Sequence, residues 1–499
     1  MSMLSSIGRP LALLFGRRPR GGLANEVKVK VNAAQLAFTT GSLIAERYLV
    51  RAVVGKGGYS VVYEIVDGYD DTTYALKTLR DDVAKDPETI ELFRKEAWVW
   101  ISLEPHPNIV RADFITELEG RLCIGMEFLP KNADGFSSLD GYLSSSPPDL
   151  EQSLRWMIQV CHGMEFARNH GIRCHRDIKP ANILIDANRV AKLTDFGFAE
   201  VIDAARYADV KGRRKSVEQV GFGTPFYMSP EQFMNAPRCD ERSDIYSLGV
   251  IMFQMAARGR LPFFPIGNAD PNDRAKYWES MHEVHARGQI PHLASPMFPI
   301  IKRCLAKEPN GRYQQFRELR TDLEALLKTQ SGKYEPPAIV KHPEAWEIYN
   351  RAYSLANLGD YESAVAQYDR SLEQDPSNAD AWNNKGVCLR KIGRIPDSVE
   401  CFERAIDLVS DHRAAHMNLG VTLRIMGKYR EAIAWLEKCT KLDAMNETAW
   451  LNKALAQERL GFERDAVESF RVFLDLPPVA LAKYVQHAKE YLANHPNAF

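Results

Sequence analysis

The chain is 499 residues long, a length that suits two or three domains rather than one. Its 64 Lys and Arg balance 65 Asp and Glu, so it offers no general field for nucleic acid or an anionic membrane. The eight cysteines form no C-x-x-C pair, which argues against a zinc ribbon or a disulfide framework and points to a reducing, cytoplasmic setting.

Residues 1–44 begin with a basic segment carrying Arg9, Arg17, Arg18 and Arg20, and no acid precedes Glu26. Its apolar stretch from Leu11 to Phe15 is too short to cross a bilayer, so a mobile tail is favoured over a surface anchor or transit segment. From 45 to about 130, short runs rich in Val, Ile and Tyr alternate with turns around one helix-like stretch, "ETIELFRKEAWVWISL". Helical patterns dominate from about 138 to 328. A small mixed lobe followed by a helical lobe, an α+β arrangement over 45–328, is the expectation.

The segment 329–343, with Gly332, Pro336, Pro337 and Pro343, reads as a linker. Beyond it Gly359, Gly393, Gly427 and Gly461 recur every 34 residues, in step with Ala364, Ser398, Ala432 and Ala466 and with Tyr368, Phe402, Leu436 and Phe470. This period resembles tetratricopeptide repeats and implies an all-α solenoid over 344–499. Four repeats follow, at 345–378, 379–412, 413–446 and 447–480, closed by a capping helix. One hairpin cannot bury its own face, so several must stack.

Chemistry concentrates in the first part. In "VVGKGGYSVVYEI" Gly55, Gly57 and Gly58 lie between two strand-like runs, where bare backbone N–H groups can approach phosphate oxygens. Lys77 sits in an apolar strand and needs an anionic partner. On the following helix Glu96 is preferred to Glu91, because the residue four beyond Glu96 is Trp100, which can pack inward, whereas Lys95 follows Glu91. "HRDIKPANILI" then crowds Asp177, Lys179 and Asn182 onto one loop, and Asp195 follows in "TDFG". Asn182 and Asp195 are oxygen donors of the kind that hold Mg²⁺ on nucleotide phosphates.

In order along the chain, the glycine loop, Ala75-Leu76-Lys77, Glu96, "HRDIKPAN", "DFG", "GTPFYMSPE", "RSDIYSLG" and Arg312 resemble the eukaryotic-type (Hanks-type) serine/threonine protein kinases. The resemblance covers roughly 45–328 and implies a bilobal kinase fold that uses ATP and Mg²⁺ or Mn²⁺ on protein substrates. It makes Asp177 the catalytic base, has Lys179 offset charge on the transferred group, and makes Asn182 and Asp195 the metal ligands. Lys77, paired with Glu96, would hold phosphates under a loop of Val54, Gly55, Lys56, Gly57 and Gly58. Met126 would be the gatekeeper, with Glu127 and Leu129 at the hinge whose backbone meets adenine, and Val62, Ala75 and Leu184 around the ring. His175 and Phe196 would belong to an internal spine, Asp244 would brace the catalytic loop, and Glu231 and Arg312 would form a buried ion pair. Lys179 and Thr224 match the serine/threonine class. Ser60 and Ser229 depart from the family's glycine and alanine, both as small substitutions.

A catalytically weak scaffold, whose repeats assemble complexes, is the alternative; the complete set of polar positions weighs against it. A small-molecule kinase is the third reading, opposed by "GFGTPFYMSPEQ". The order of kinase then repeats looks most like bacterial members of the family. In the activation segment between Gly197 and Gly221 only Tyr207 and Ser216 carry hydroxyls, so Ser216, after "KGRRK", is the candidate switch, with an unmodified loop residue as the equal alternative. In the repeats, Asn350, Asn384, Asn418 and Asn452 share the sixth position. They are expected either to grip the backbone of an extended peptide or simply to bond a neighbouring helix.

Overall fold

The computed structural model describes residues 37–196, 200–201, 225–235, 239–265, 274–476 and 482–495. The basic tail up to residue 36, the start of the activation segment, Ser216 and Thr224 lie outside the described residues. The described residues fall into two compact units, one ending at Pro343 and one beginning at Glu344.

The first unit opens with strands β1 (Leu43–Ile44), β2 (Tyr48–Lys56), β3 (Ser60–Asp67) and β4 (Thr73–Leu79), then helix α1 (Pro87–Ser102), β5 (Ala112–Leu118) and β6 (Arg121–Glu127). The strands form one antiparallel sheet in the order β1-β2-β3-β4-β6-β5. Alternation drives it: Val61, Tyr63 and Ile65 are buried on β3 while Val62, Glu64 and Val66 between them are half-buried. Ordered structure starts before residue 45. Phe38 is buried edge-on against Tyr63, and its N–H donates to the Tyr63 hydroxyl at 3.0 Å.

Asp86 caps α1 by accepting from the Thr89 N–H at 3.1 Å, and Pro87 stands at its first position. Phe93, Glu96, Ala97 and Trp100 form one buried stripe, and Trp98, Val99 and Ile101 toward its end are buried as well. A carboxylate thus rides among apolar neighbours.

The rest of the unit comprises α2 (Leu139–Ser145), α3 (Leu150–Asn169), β7 (Ile172–Cys174), β8 (Ile183–Ile185), β9 (Ala191–Leu193), β10 (Glu200–Val201), α4 (Pro230–Asn235), α5 (Glu241–Ala256), α6 (Arg274–Arg287), α7 (Phe298–Cys304) and α8 (Phe316–Ser331). Helix α5 is buried without interruption from Ser243 to Phe253. Gly249 permits the approach of α7, since a Cβ there would lie 2.6 Å from that of Cys304. Helices α3 and α8 pack together, and Arg320 reaches Glu165 at 2.6 Å.

The linker is shorter than its composition suggests. Residues 329–331 finish α8, and Gly332 ends it in the left-handed region at φ +68°. Lys333 then pairs with Glu151 at 2.9 Å and Glu335 with Arg155 at 2.6 Å, which lays the chain along α3. Only residues 336–343 remain to span to the next unit, roughly 30 Å if fully extended.

The second unit is a run of helical hairpins: α9 (Ala345–Asn357) with α10 (Tyr361–Gln374), α11 (Ala379–Lys391) with α12 (Ile395–Leu408), α13 (Arg413–Ile425) with α14 (Tyr429–Leu442), and α15 (Glu447–Arg459) with α16 (Glu463–Asp475). The four periodic glycines turn each hairpin at φ between +72° and +87°, a region costly for a residue with a side chain. Helix α17 (Ala482–Asn494) closes the stack with buried Ala488 and with Tyr491 5.1 Å from Phe470.

His285 on α6 is fully buried. Burial, helped by nearby Lys307, pushes its imidazole down from 6.5 to about 3. The unfolded chain therefore takes up a proton that the folded chain refuses, and stability falls as pH drops below 6.5. The urea midpoint should decrease from pH 7 to pH 5, and His285→Gln, less stable at pH 7, should show a shallower decrease. An identical slope in the variant would contradict this assignment.

Candidate functional site

The hairpin between β2 and β3 is closed by the Gly57 N–H donating to the Ser60 carbonyl at 2.8 Å, and its tip is tied down by Arg80 Nη1 on the Gly58 carbonyl at 2.9 Å. Ser60, which replaces the third glycine, is buried at the start of β3 and leaves the tip to bare backbone. Tyr59 also belongs to the site, although nothing local in the sequence marks it. Its hydroxyl lies 3.5 Å from Glu96 Oε2, and burial pushes its phenol up.

Lys77 is buried on β4, opposite Val62 on β3 and Ile124 on β6. Its ammonium bonds the Glu96 carboxylate and also Asp195 Oδ1, the latter at 2.7 Å. Glu91 lies instead on the outer side of α1, 3.9 Å from Arg94. One cation is shared by two carboxylates, Glu96 fully buried and Asp195 32% exposed. Burial, with Asp195 close by, pushes Glu96 up to about 7 against the pull of Lys77. Burial works on Asp195 as well, yet Lys77 holds it at about 2.

The loop after β7 is fastened from below. Asp244, buried on α5, accepts the His175 N–H at 2.7 Å and the Arg176 N–H at 2.8 Å, which fixes Arg176 at φ +68°. Burial raises this carboxyl, while the two amides favour its anion. Asp177 Oδ2 then accepts from Lys179 Nζ at 2.7 Å and from Asn182 Nδ2 at 2.9 Å. Burial raises Asp177 to about 6; Lys179 opposes the shift and the Asp195 charge adds to it. The Asn182 carbonyl accepts the Thr194 N–H at 3.0 Å, so the loop and the Asp195 strand end are held together. Asp195 itself has φ +70°, a strained value for a residue with a side chain.

Phe196 is fully buried, 4.7 Å from the His175 ring and 6.3 Å from Trp100 on α1. Trp100, whose place on the helix marks it in sequence only as inward-packing, completes an aromatic column running from α1 to the loop. Glu231 receives Arg312 at 2.7 and 2.9 Å, with the Arg312 side chain wholly buried.

The positions expected around adenine lie on or beside β2, β3, β4, β6 and β8. Ala75 pairs with Met126 in register, and Glu127 with Tyr74; Leu184 on β8 pairs with Lys192 on β9. Val62, Ala75, Glu127, Leu129 and Leu184 are half-buried and Met126 is buried, whereas Val54 is exposed.

A family model described as Protein kinase domain matches residues 48–322, more than half of the chain, and the chain belongs to that family. Two tetratricopeptide-repeat models match residues 349–400 and 377–444. Among curated proteins, the chain is 33% identical over 311 residues to the serine/threonine-protein kinase PknB of Mycobacterium tuberculosis, covering 61% of this chain and 46% of that protein. It is 32% identical over 308 residues to PknB of Mycobacterium leprae, with coverage of 61% and 46%. The chain thus spans less than half the length of these relatives.

The asparagine row of the repeats differs from an open peptide-gripping ladder. Asn384 donates to the Tyr349 hydroxyl at 2.9 Å, and Asn418 donates to Asn383 Oδ1 at 2.9 Å while accepting from Arg390 at 3.3 Å. Asn452 accepts from Arg424 at 2.8 Å and donates to the Thr448 carbonyl. Asn350, Asn418 and Asn452 are buried. In the second, third and fourth repeats the sixth position bonds the preceding first helix, so its amide serves that joint. Asn418→Ala should lower stability by about 1–2 kcal/mol, the cost of stranding buried partners, as read from urea unfolding. An unchanged midpoint would contradict the joint.

Proposed function

We propose that the chain is an ATP-dependent serine/threonine protein kinase whose repeat unit recruits a protein substrate or partner. The observation that carries this is the closed set of Lys77 bonded to Glu96 and Asp195 beside Asp177, Lys179 and Asn182. Phosphoryl transfer depends on positioning and charge, and this set supplies both.

The donor chemistry fits a hard divalent cation: Asp195 is held anionic, and Asn182 donates through its amide nitrogen, which leaves the carbonyl oxygen as a ligand. Asp195 and Asn182 would hold Mg²⁺ or Mn²⁺, which supplies positive charge against nucleotide phosphates when bound. Lys77 neutralises phosphate charge, and Glu96 keeps its ammonium aimed into the cleft. The glycine hairpin offers backbone N–H groups above. Asp177 accepts the proton of the substrate hydroxyl; a carboxylate poised near 6 is a better acceptor than an ordinary one. Lys179, already on Asp177, offsets charge on the group in transit and marks the serine/threonine class. Ser216 phosphorylation, read by Arg176, remains the proposed switch.

The eight cysteines are all free and buried, in keeping with a reducing cytoplasm. Among the described residues no helix is long and apolar enough to cross a membrane.

Transfer of labelled phosphate to myelin basic protein tests the reading. Asp177→Asn should lower turnover by about two to four orders of magnitude, and Asp195→Ala by at least as much. Near-normal transfer by Asp177→Asn would sink the assignment.

A further inference from the structure

We propose that Lys192 is a positioning residue for the nucleotide base, acting through Glu127. The inference rests on the kinase reading above and concerns a side chain that reading does not use.

Glu127 is the last residue of β6, where the sheet ends and the chain leaves for α2. Both of its carboxylate oxygens are taken by Lys192 Nζ, at 2.8 and 2.9 Å. Oε1 also accepts the Arg111 N–H at 2.8 Å, and the Glu127 N–H donates to the Arg111 carbonyl at 3.0 Å. Side chain and backbone of one residue are therefore held together. The Lys192 and Glu127 side chains keep only 14% and 20% of their exposure, so water screens the pair partially.

The other end of the clasp is equally fixed. Lys192 lies on β9, whose Leu193 N–H donates to the Asn108 carbonyl at 2.9 Å and whose Leu193 carbonyl accepts the Val110 N–H at 2.8 Å. The Ala191 N–H donates to Gln159 of α3 at 2.8 Å. A rigid strand in the helical part of the unit thus holds the residue at which the sheet hands over to it. Glu127 stands at the hinge position whose backbone is expected to meet adenine. Restraining its carboxylate at three points restrains the direction of its peptide carbonyl, and an acceptor set in advance spares the base the entropy of ordering it.

The experiment uses the full chain with Lys192→Met and Lys192→Arg, with ATP and with purine riboside triphosphate, which lacks the 6-amino group. Lys192→Met should raise KM for ATP by about three- to tenfold with kcat within about twofold, and Lys192→Arg should restore KM. The rise should be smaller for purine riboside triphosphate, whose base has no amine to offer the Glu127 carbonyl. An unchanged KM for ATP, or an equal rise for both nucleotides, would overturn the positioning role, as would parallel rises in KM for ATP and protein substrate. Calorimetric titration with both nucleotides reads the same contrast as affinity. It tests Lys192 even where the wild-type chain transfers no phosphate, a result that counts against the proposed activity alone.

Discussion

A buried ammonium without a counter-charge costs several kcal/mol, and that cost organises the first unit around Lys77. Its strand lies in the sheet, one of its carboxylates rides on α1, and the other follows β9. Three elements distant in sequence are fastened at one nitrogen. Trp100, one turn beyond Glu96, sits 5.9 Å from that nitrogen and 6.3 Å from Phe196, so the ionic joint and the aromatic column support the same placement of α1.

The second fixed point is Asp244. Its two accepted amides hold the loop in a backbone shape that Arg176 would not adopt unaided, and Asp195 is strained in the same sense. Strain at both ends of the polar set implies that the surrounding packing determines the geometry. The buried α5 supplies it on one side, and the joint between the Asn182 carbonyl and Thr194 on the other.

Much of this was legible in the sequence, for physical reasons. A lysine in an apolar strand announces a partner, and the residue four places along a helix distinguishes Glu96 from Glu91. Glycines 34 residues apart mark repeated left-handed turns, which Gly359, Gly393, Gly427 and Gly461 make. What stayed hidden depends on tertiary distance. Glu127 and Lys192 are 65 residues apart, and neither stands in a pattern that points to the other. Asn418 and Asn452 displayed their period but not their partners, Arg390 and Arg424, which lie 28 residues earlier in the neighbouring repeat. The start of the linker is hidden in sequence because "TQS" lacks the apolar rhythm of the helix it completes, and because the grip of Glu335 on Arg155 joins residues 180 positions apart.

The short linker bears on how recruitment would work. Under the proposed recruitment, a tether of residues 336–343 would keep any segment captured by the repeats within a restricted volume and would raise its effective concentration only for suitably placed hydroxyls. Selection by geometry would then supplement selection by the peptide itself. The shared ammonium is the joint on which the polar set depends. A double-mutant cycle on ATP affinity, with Lys77→Met, Glu96→Gln and the pair combined in the full chain, measures it directly. The double variant should bind ATP no more weakly than Lys77→Met alone, because Glu96 acts through Lys77. Losses that multiply independently would contradict the account.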